Sequence, residues 1–186
     1  MKKSVIISGP PAIGKTTIAK GLAKEFGMKY LGGGDILKEL AREQGFQTDG
    51  DDWWDKPDGM KFLTQRQKDP TFDKKVDEKL KKLFMQGGLV ITSYTLPWLV
   101  DDGIKIWLSG SQHNSADRMK SRDNLTEKEA LKIVQKRYDE NKILYKKLYN
   151  FNFGEDLTVF DKIINTDGLN AQQVLDIAKD VVRELL

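Results

Sequence analysis

The stretch Gly9-Pro10-Pro11-Ala12-Ile13-Gly14-Lys15-Thr16 decides how this sequence is interpreted. It follows the apolar run Val5-Ile6-Ile7 and precedes an amphipathic, helix-like segment, which is the context that its glycine spacing requires. Glycines let a backbone fold closely round phosphates, and backbone amides together with the helix N-terminus face the negative charge. We therefore predict that residues 9–17, with Thr17 closing the segment, bind the polyphosphate of a nucleotide rather than forming a plain Gly/Pro-rich turn.

The last residues of this stretch predict specific roles. The ammonium group of Lys15 suits a bridge between the β and γ phosphoryl oxygens, which makes Lys15 a candidate catalytic residue. The hydroxyl group of Thr16 suits a ligand position on Mg²⁺. ATP and Mg²⁺ are therefore the expected donor and cofactor.

Short apolar runs alternate with helix-length amphipathic segments along the rest of the chain. Continuous apolar character is typical of strands that are buried on both faces of a parallel sheet. We therefore predict an α/β fold with a five-stranded parallel sheet and helices on both faces. The predicted strands are Ser4 to Ile7, Met28 to Leu31, Leu89 to Thr92, Ile104 to Leu108 and Lys162 to Ile164.

Local signals place several helices. Ile18, Leu22 and Phe26 form an apolar stripe that Gly27 ends, and further stripes run through Phe72 to Leu83 and Val174 to Val182. Thr126-Glu127-Lys128-Glu129 has the pattern of a capping box that starts a long helix. The segment 48–59, with five aspartates and the pair Trp53-Trp54, is predicted to be a surface loop.

Composition narrows the class of protein. The chain has 186 residues, 39% apolar and 32% charged, which suits a single domain spanning 1–186. It contains no cysteine, so disulfide scaffolds and thiolate zinc sites are excluded, and its one histidine, His113, lies in a polar segment where we expect a solvated side chain. With a net charge of +3 and no apolar run of membrane-spanning length, we expect a cytoplasmic monomer that binds neither nucleic acid nor membrane.

Two absences narrow the kind of nucleotide-binding protein. The base-reading Asn-Lys-x-Asp of GTPase switches and their Asp-x-x-Gly do not occur in the sequence. The strand Leu89-Val90-Ile91 continues into Thr92-Ser93, where large ATPases carry a carboxylate. A small kinase remains the favoured interpretation.

The chain resembles the archaeal-type cytidylate kinases of the nucleoside monophosphate kinase superfamily over nearly its whole length. The matching pieces are the loop at 9–17, Gly34-Asp35, Asp69-Pro70, Asp73 and Asp77, Trp98, Ile106-Trp107-Leu108, Arg118 and Arg122, Tyr145 and Tyr149, Val159-Phe160-Asp161, Ile164 and Thr166. The resemblance implies a P-loop kinase fold with an acceptor-binding region at about 32–86, an insertion at 48–59 and a helical lid at about 112–142. It also implies transfer of the ATP γ-phosphoryl group to CMP or dCMP with Mg²⁺.

Three arginines are candidates to stabilise the transferred phosphoryl group. Arg118 and Arg122 are four residues apart, so a helix there would direct both towards one point, although a solvated basic face is the alternative. Arg137 falls on an apolar stripe of the long helix and is predicted to point inward. A buried arginine needs a carboxylate or a phosphate partner, and both remain open.

The acceptor site is predicted at five positions and is where the chain departs from the family. By the resemblance, we expect the acceptor to be contacted by Asp35, Lys38, Asp73, Tyr94 and Trp98. Asp35 would also contact Mg²⁺ or cap a helix. Apart from the resemblance, Asp73 and Asp77 are expected to be solvated. Family arginines are replaced at Lys38, Ser93-Tyr94 and Leu144-Tyr145. Lysine lacks the planar guanidinium fork, and tyrosine or leucine cannot neutralise a phosphate.

These departures leave other functions open beside a cytidylate kinase. The chain could phosphorylate a different small metabolite, or it could be a nucleotide-binding regulator that has lost turnover. A nucleic-acid end kinase, suggested by the basic segment 116–147, is the weakest of them.

Overall fold

The structure is a computed structural model that describes residues 3–48, 61–62, 69 and 71–186, without the side chain of Arg122. The predicted surface loop at 48–59, with Trp53 and Trp54, lies outside the described residues except for Thr48. The prediction for that segment therefore stays a prediction.

Five parallel strands form one sheet in the order β2-β3-β1-β4-β5. Their register places Ile6 of β1 between Ile91 of β3 and Lys105 of β4. The predicted parallel sheet is confirmed, and each predicted strand is found within one residue of its bounds. The strands are β1 (Val5–Ser8), β2 (Lys29–Gly32), β3 (Leu89–Thr92), β4 (Ile104–Ser109) and β5 (Lys162–Asn165).

Helices cover both faces of the sheet, which gives the three-layer P-loop kinase fold. One face is covered by α1 and α7, whose buried side chains, such as Leu22 and Val182, join the inner residues of β1 and β4. The other is covered by α2, α3 and α4. The helices are α1 (Lys15–Phe26), α2 (Gly33–Glu43), α3 (Thr71–Phe84), α4 (Leu96–Leu99), α5 (Gln112–Asp123), α6 (Glu127–Tyr149) and α7 (Ala171–Leu185).

Helix ends follow the local signals in the sequence. The hydroxyl group of Thr126 accepts from the Glu129 amide at 3.3 Å, and a carboxylate oxygen of Glu129 accepts from the Thr126 amide at 2.9 Å, so the predicted capping box starts α6. Gly27 ends α1 in the left-handed conformation, with φ of 59°. These bonds satisfy backbone groups that a helix terminus leaves without partners.

The prediction that all five strands are buried on both faces is wrong for β2 and β5. These two strands form the edges of the sheet. In β5 only Ile164 is buried, while Ile163 is 47% exposed. An edge strand lies at the margin of the sheet, with a neighbouring strand on one side only. The helices on the two faces cover this margin less completely than they cover the central strands β1 and β4.

An aromatic cluster joins α6 to the sheet. Trp107 of β4, Tyr145 of α6, and Phe151 and Phe153 in the segment after α6 are buried in it. At its other end α6 packs on α5 through Ala130 and Val134. The helix α6 therefore contacts different neighbours along its 23 residues. Among the described residues, no helix has the combination of length and apolar character needed to cross a membrane.

Candidate active site

The loop between β1 and α1 has the backbone shape of a phosphate cradle. Gly9 has φ of 147° and Gly14 has φ of 101°, both in the region that glycine adopts without strain. A Cβ atom on Gly9 would lie 2.4 Å from the Leu108 carbonyl oxygen, so a side chain does not fit there. Ala12 is also left-handed, with φ of 58°, which is a strained conformation of the kind found at functional sites.

Lys15 begins α1 and folds back over this loop. Its Nζ atom donates to the carbonyl oxygens of Gly9 at 3.0 Å and Pro10 at 2.6 Å, and it lies 4.5 Å from the ring centroid of Tyr94. Burial of the ammonium group lowers the pKa of Lys15, the positive charge of Arg137 lowers it further, and Tyr94 opposes both. The loop lysine and Tyr94 therefore meet at the carboxyl edge of the sheet.

Arg118 of α5 contacts the same loop from the other side. Its guanidinium group donates to the carbonyl oxygen of Ile13, and a Cβ atom on Gly14 would lie 3.1 Å from that guanidinium. Burial lowers the pKa of Arg118, while the carboxylate of Asp167 raises it. The predicted helix is confirmed, and it places Arg118 beside the loop. The catalytic role of Arg118 stays a prediction. Arg122 lies one turn further along α5, and its role stays a prediction.

The start of α5 is fixed by the segment after β5. The Asp167 carboxylate accepts from the Ser111 amide at 3.0 Å and 2.9 Å and from the Asn114 side-chain amide at 2.8 Å. These bonds lower the pKa of Asp167 below its usual range. They hold the helix that carries Arg118 against the carboxyl edge of the sheet.

The prediction that Arg137 points inward is wrong, because its side chain is exposed. Ile133, assigned to the same apolar stripe, is 37% exposed as well. The stripe fails because α6 packs on α5 at one end and on the aromatic cluster at the other, and Arg137 lies between these contacts. Its positive charge nevertheless contributes to the lowered pKa of Lys15.

A cleft of about 200 Å³ separates the phosphate loop from α5 and α6. Its lining residues come from the loop, the end of β4 and the two helices: Pro10, Gly110, Gln112, Ser115, Val134 and Tyr138. The buried hydroxyl of Ser115 has no hydrogen-bond partner among the described residues. The cleft is therefore open to a polar group between the loop and the predicted lid.

Asp35 supports the start of α2 in a different way from the one predicted. Its carboxylate accepts from the Gly32 amide at 3.1 Å, but the helix already begins at Gly33, so Asp35 lies within the first turn and is not the N-cap. The side chain is exposed. Lys38 follows three residues later and is half-buried. Both residues lie on the helix that leads from the carboxyl end of β2.

The expectation that Asp73 and Asp77 are solvated is wrong. On α3 they are only 5% and 6% exposed. The Tyr149 hydroxyl donates to Asp77 at 2.6 Å, and the Thr95 hydroxyl donates to the other carboxylate oxygen. Burial raises the pKa of Tyr149. The hydrogen bond to Asp77 and the negative charges of Asp77 and Asp73 raise it further. Buried carboxylates require such donors, because an unpaired buried charge is costly.

Sequence reasoning missed this carboxylate cluster although a signal for it exists. Asp73 and Asp77 each follow directly after a residue of the apolar stripe, Phe72 and Val76, so they border the buried face of α3. That position indicates partial burial. The partners Tyr149 and Thr95 come from distant parts of the chain and have no signal in the sequence.

Trp98 and Tyr94 both follow β3 but differ in their surroundings. Trp98 stacks on Phe151 with ring centroids 4.3 Å apart, and its indole nitrogen donates to the carbonyl oxygen of Asp156 at 2.9 Å. These contacts give Trp98 a packing role in the aromatic cluster, and they do not support its predicted role in acceptor binding. Tyr94 packs on the same cluster at Phe153 but also faces Lys15.

The residues at the loop fit a magnesium ion held mainly by phosphate oxygens and water. Among the described residues, no group of three or more histidine or carboxylate side chains is arranged to hold a metal ion. Thr16 is exposed in the first turn of α1, and Asp35 is exposed in the first turn of α2, after β2. Mg²⁺ typically keeps several waters and takes few protein ligands when it binds with phosphates.

Comparison with known proteins agrees with this geometry. A sequence model of the cytidylate kinase-like family matches residues 4–168. The chain belongs to the cytidylate kinase-like family. It is 32% identical over 181 residues to a cytidylate kinase of Sulfolobus acidocaldarius, covering 96% of this chain and 93% of that one. It is 28% identical over 177 residues to a cytidylate kinase of Ignicoccus hospitalis, covering 94% and 96%. The resemblance to the cytidylate kinases is thereby confirmed.

Solved structures confirm the fold of this family member. A shikimate kinase from Acinetobacter baumannii matches with a TM-score of 0.59 and 16% identity, covering 100% of this chain and 95% of that one. An uncharacterized protein from Eubacterium ventriosum matches with a TM-score of 0.64 and 17% identity, covering 98% and 99%. At these identities the likeness concerns the fold alone. Family membership supports an ATP-dependent nucleoside monophosphate kinase.

Proposed function

We propose that the protein transfers the γ-phosphoryl group of ATP to CMP or dCMP. The observation that carries this proposal is the convergence of Lys15 and Arg118 on a glycine loop that is shaped for phosphates. The family relatives named cytidylate kinase supply the acceptor class.

The proposed reaction needs alignment and positive charge more than covalent help from the protein. An oxygen of the acceptor phosphate forms a bond to the γ-phosphorus, the bond from that phosphorus to the β,γ-bridging oxygen breaks, and ADP leaves with the electron pair. Charge on the migrating group is stabilised by fixed cations. Lys15 and Arg118 would supply two of these from opposite sides of the loop, and Arg137 a third.

Magnesium would add charge neutralisation at the β and γ phosphoryl oxygens. Thr16 would hold it with its hydroxyl group, and Asp35 of α2 is the candidate carboxylate. The amides of residues 9–17 would hold the remaining phosphate oxygens at the N-terminus of α1.

On the acceptor side, the proposal uses the carboxyl ends of β2 and β3. Lys38 would contribute one positive charge towards the acceptor phosphate, and Tyr94 lies between this side and the phosphate loop. Asp73 is a candidate to contact the acceptor base from α3. Arg122, one turn beyond Arg118, would complete the cations of the lid.

A coupled assay of ADP release tests the proposal directly. Purified protein is given Mg·ATP and each of AMP, CMP, dCMP, GMP and UMP in turn. We expect CMP or dCMP to stimulate ADP release the most, and Lys15→Met to reduce kcat by about 10²- to 10³-fold, as loss of one preorganised donor does in other enzymes. The absence of stimulation by every nucleotide would contradict the proposal.

A second candidate function is a kinase for a different small acceptor. It is favoured by the positions Lys38, Ser93-Tyr94 and Leu144-Tyr145, where the arginines of the family are replaced. Without those guanidinium groups an acceptor other than a nucleoside monophosphate would fit this side of the site. A thermal-shift screen of small metabolites with ATP present distinguishes the two functions, because a true acceptor stabilises the folded state by mass action. ATP binding with no acceptor at all would instead indicate a regulator.

A further inference from the structure

The ammonium group of Lys15 has neighbours in three directions. Two are the carbonyl oxygens of Gly9 and Pro10, at 3.0 Å and 2.6 Å. The third is the face of the Tyr94 ring, with the nitrogen 4.5 Å from the ring centroid. A cation within about 6 Å of a ring centroid is attracted by the negative charge on the ring face.

The ring of Tyr94 is itself held by its surroundings. It packs edge-on against Phe153, with centroids 5.6 Å apart, and lies tilted against Tyr145 at 6.3 Å. Just before it, the hydroxyl of Ser93 accepts from the amides of Thr95 at 3.2 Å and Leu96 at 3.0 Å. Tyr94 therefore presents a supported aromatic face at the end of β3.

We propose that Tyr94 is a positioning residue that keeps the ammonium group of Lys15 over the phosphate loop while this group exchanges loop carbonyls for phosphoryl oxygens. The inference deepens the proposed function and rests on it. Attraction to a ring face has no fixed hydrogen-bond direction, so the ammonium can turn its N–H groups towards a phosphate without leaving the ring.

Two substitutions at one position separate the ring from the hydroxyl. Tyr94→Phe keeps the aromatic face, and Tyr94→Leu removes it. Calorimetry with a non-hydrolysable ATP analogue and Mg²⁺ gives the Kd of each variant. Tyr30→Leu is a matched control, because Tyr30 faces a different cation, Lys20, with its ring centroid 5.5 Å from Nζ.

We expect Tyr94→Leu to weaken binding of the analogue by about 2- to 30-fold, the range that loss of a cation–π contact produces. Tyr94→Phe and Tyr30→Leu should each keep the Kd within about twofold. If Tyr94→Leu does not fold, Tyr94→Met takes its place, since methionine fills the space with a flexible apolar chain.

Two results would overturn the inference. One is an unchanged Kd in a folded variant without the ring. The other is an equal loss in Tyr94→Phe and Tyr94→Leu, which would assign the effect to the hydroxyl group. The calorimetry contains no acceptor, so a failure of the proposed CMP or dCMP phosphorylation is seen separately in the ADP-release assay.

Discussion

Replacing Tyr149 by phenylalanine removes one hydrogen bond from the buried carboxylate of Asp77. The bond is 2.6 Å long and joins the C-terminal end of α6 to α3, and Asp77 keeps the Thr95 hydroxyl as a donor. Hydrogen bonds to charged groups contribute about 1.5–3 kcal/mol. For a domain of this size, each kcal/mol corresponds to roughly 2–4 °C in Tm, so we expect Tm to fall by roughly 3–12 °C.

The pH dependence gives this prediction a second, independent measurement. The pKa of Tyr149 is raised in the folded protein, so the native state holds the phenol proton at pH values where the unfolded chain, with a tyrosine pKa of about 10, releases it. Stability from this group is therefore complete below pH of about 10 and declines above it, by up to about 1.4 kcal/mol per pH unit. Tyr149→Phe lacks this decline, so the difference between the two proteins should narrow above that pH.

Urea unfolding at pH 7 and at several pH values above 9 measures both effects. Tyr30→Phe is a matched control, because within the described part of the chain the Tyr30 hydroxyl is paired with another hydroxyl, that of Thr92, at 3.4 Å. We expect it to cost about 1 kcal/mol or less, since the bond is long and uncharged. The reasoning is refuted if Tyr149→Phe is no more destabilising than Tyr30→Phe, or if the gap to the unmodified protein stays constant up to pH 11.

Three further predictions concern the loop and its helices. Gly9→Ala should lower the free energy of unfolding by about 1–3 kcal/mol or more, because its Cβ atom would meet the Leu108 carbonyl in a strained conformation. A melting curve unchanged from that of the unmodified protein would contradict this. Arg118→Ala should lower kcat by about 10²- to 10³-fold while the far-UV circular dichroism is unchanged. Arg118→Lys should recover part of this loss. A kcat of the alanine variant within about threefold of the unmodified protein would show that Arg118 is not catalytic. Thr126→Ala should cost about 1 kcal/mol in urea unfolding and Thr126→Ser much less, because serine keeps the capping hydroxyl.

The sequence alone determined the parts of the fold that depend on local patterns. Strand positions follow from short apolar runs, and the end of α1 and the start of α6 follow from Gly27 and from Thr126 with Glu129. The phosphate loop follows from its glycine spacing. Such signals work because each acts within a few residues of the chain, where backbone sterics and helix-end hydrogen bonds are decided.

Which residues of a helix are buried was less predictable, as two opposite errors at Arg137 and Asp77 show. The apolar stripe of α6 predicted an inward Arg137, but the side chain is exposed because the helix changes its packing partner along its length. The charge of Asp77 predicted exposure, but the carboxylate is buried because distant hydroxyl groups pair with it. In both cases, what a helix face contacts depends on other elements.

The fold class and the glycine loop after β1 were therefore predictable from the sequence, because strand, turn and helix preferences are local. Only the tertiary structure brought Arg118 to the carbonyl oxygen of Ile13, the Tyr94 ring to the ammonium group of Lys15, and the Tyr149 hydroxyl to Asp77. These partners are 105, 79 and 72 residues apart in the numbering of the chain. Contacts over such separations are set by how the helices pack on the sheet, and no short pattern in the sequence encodes that packing.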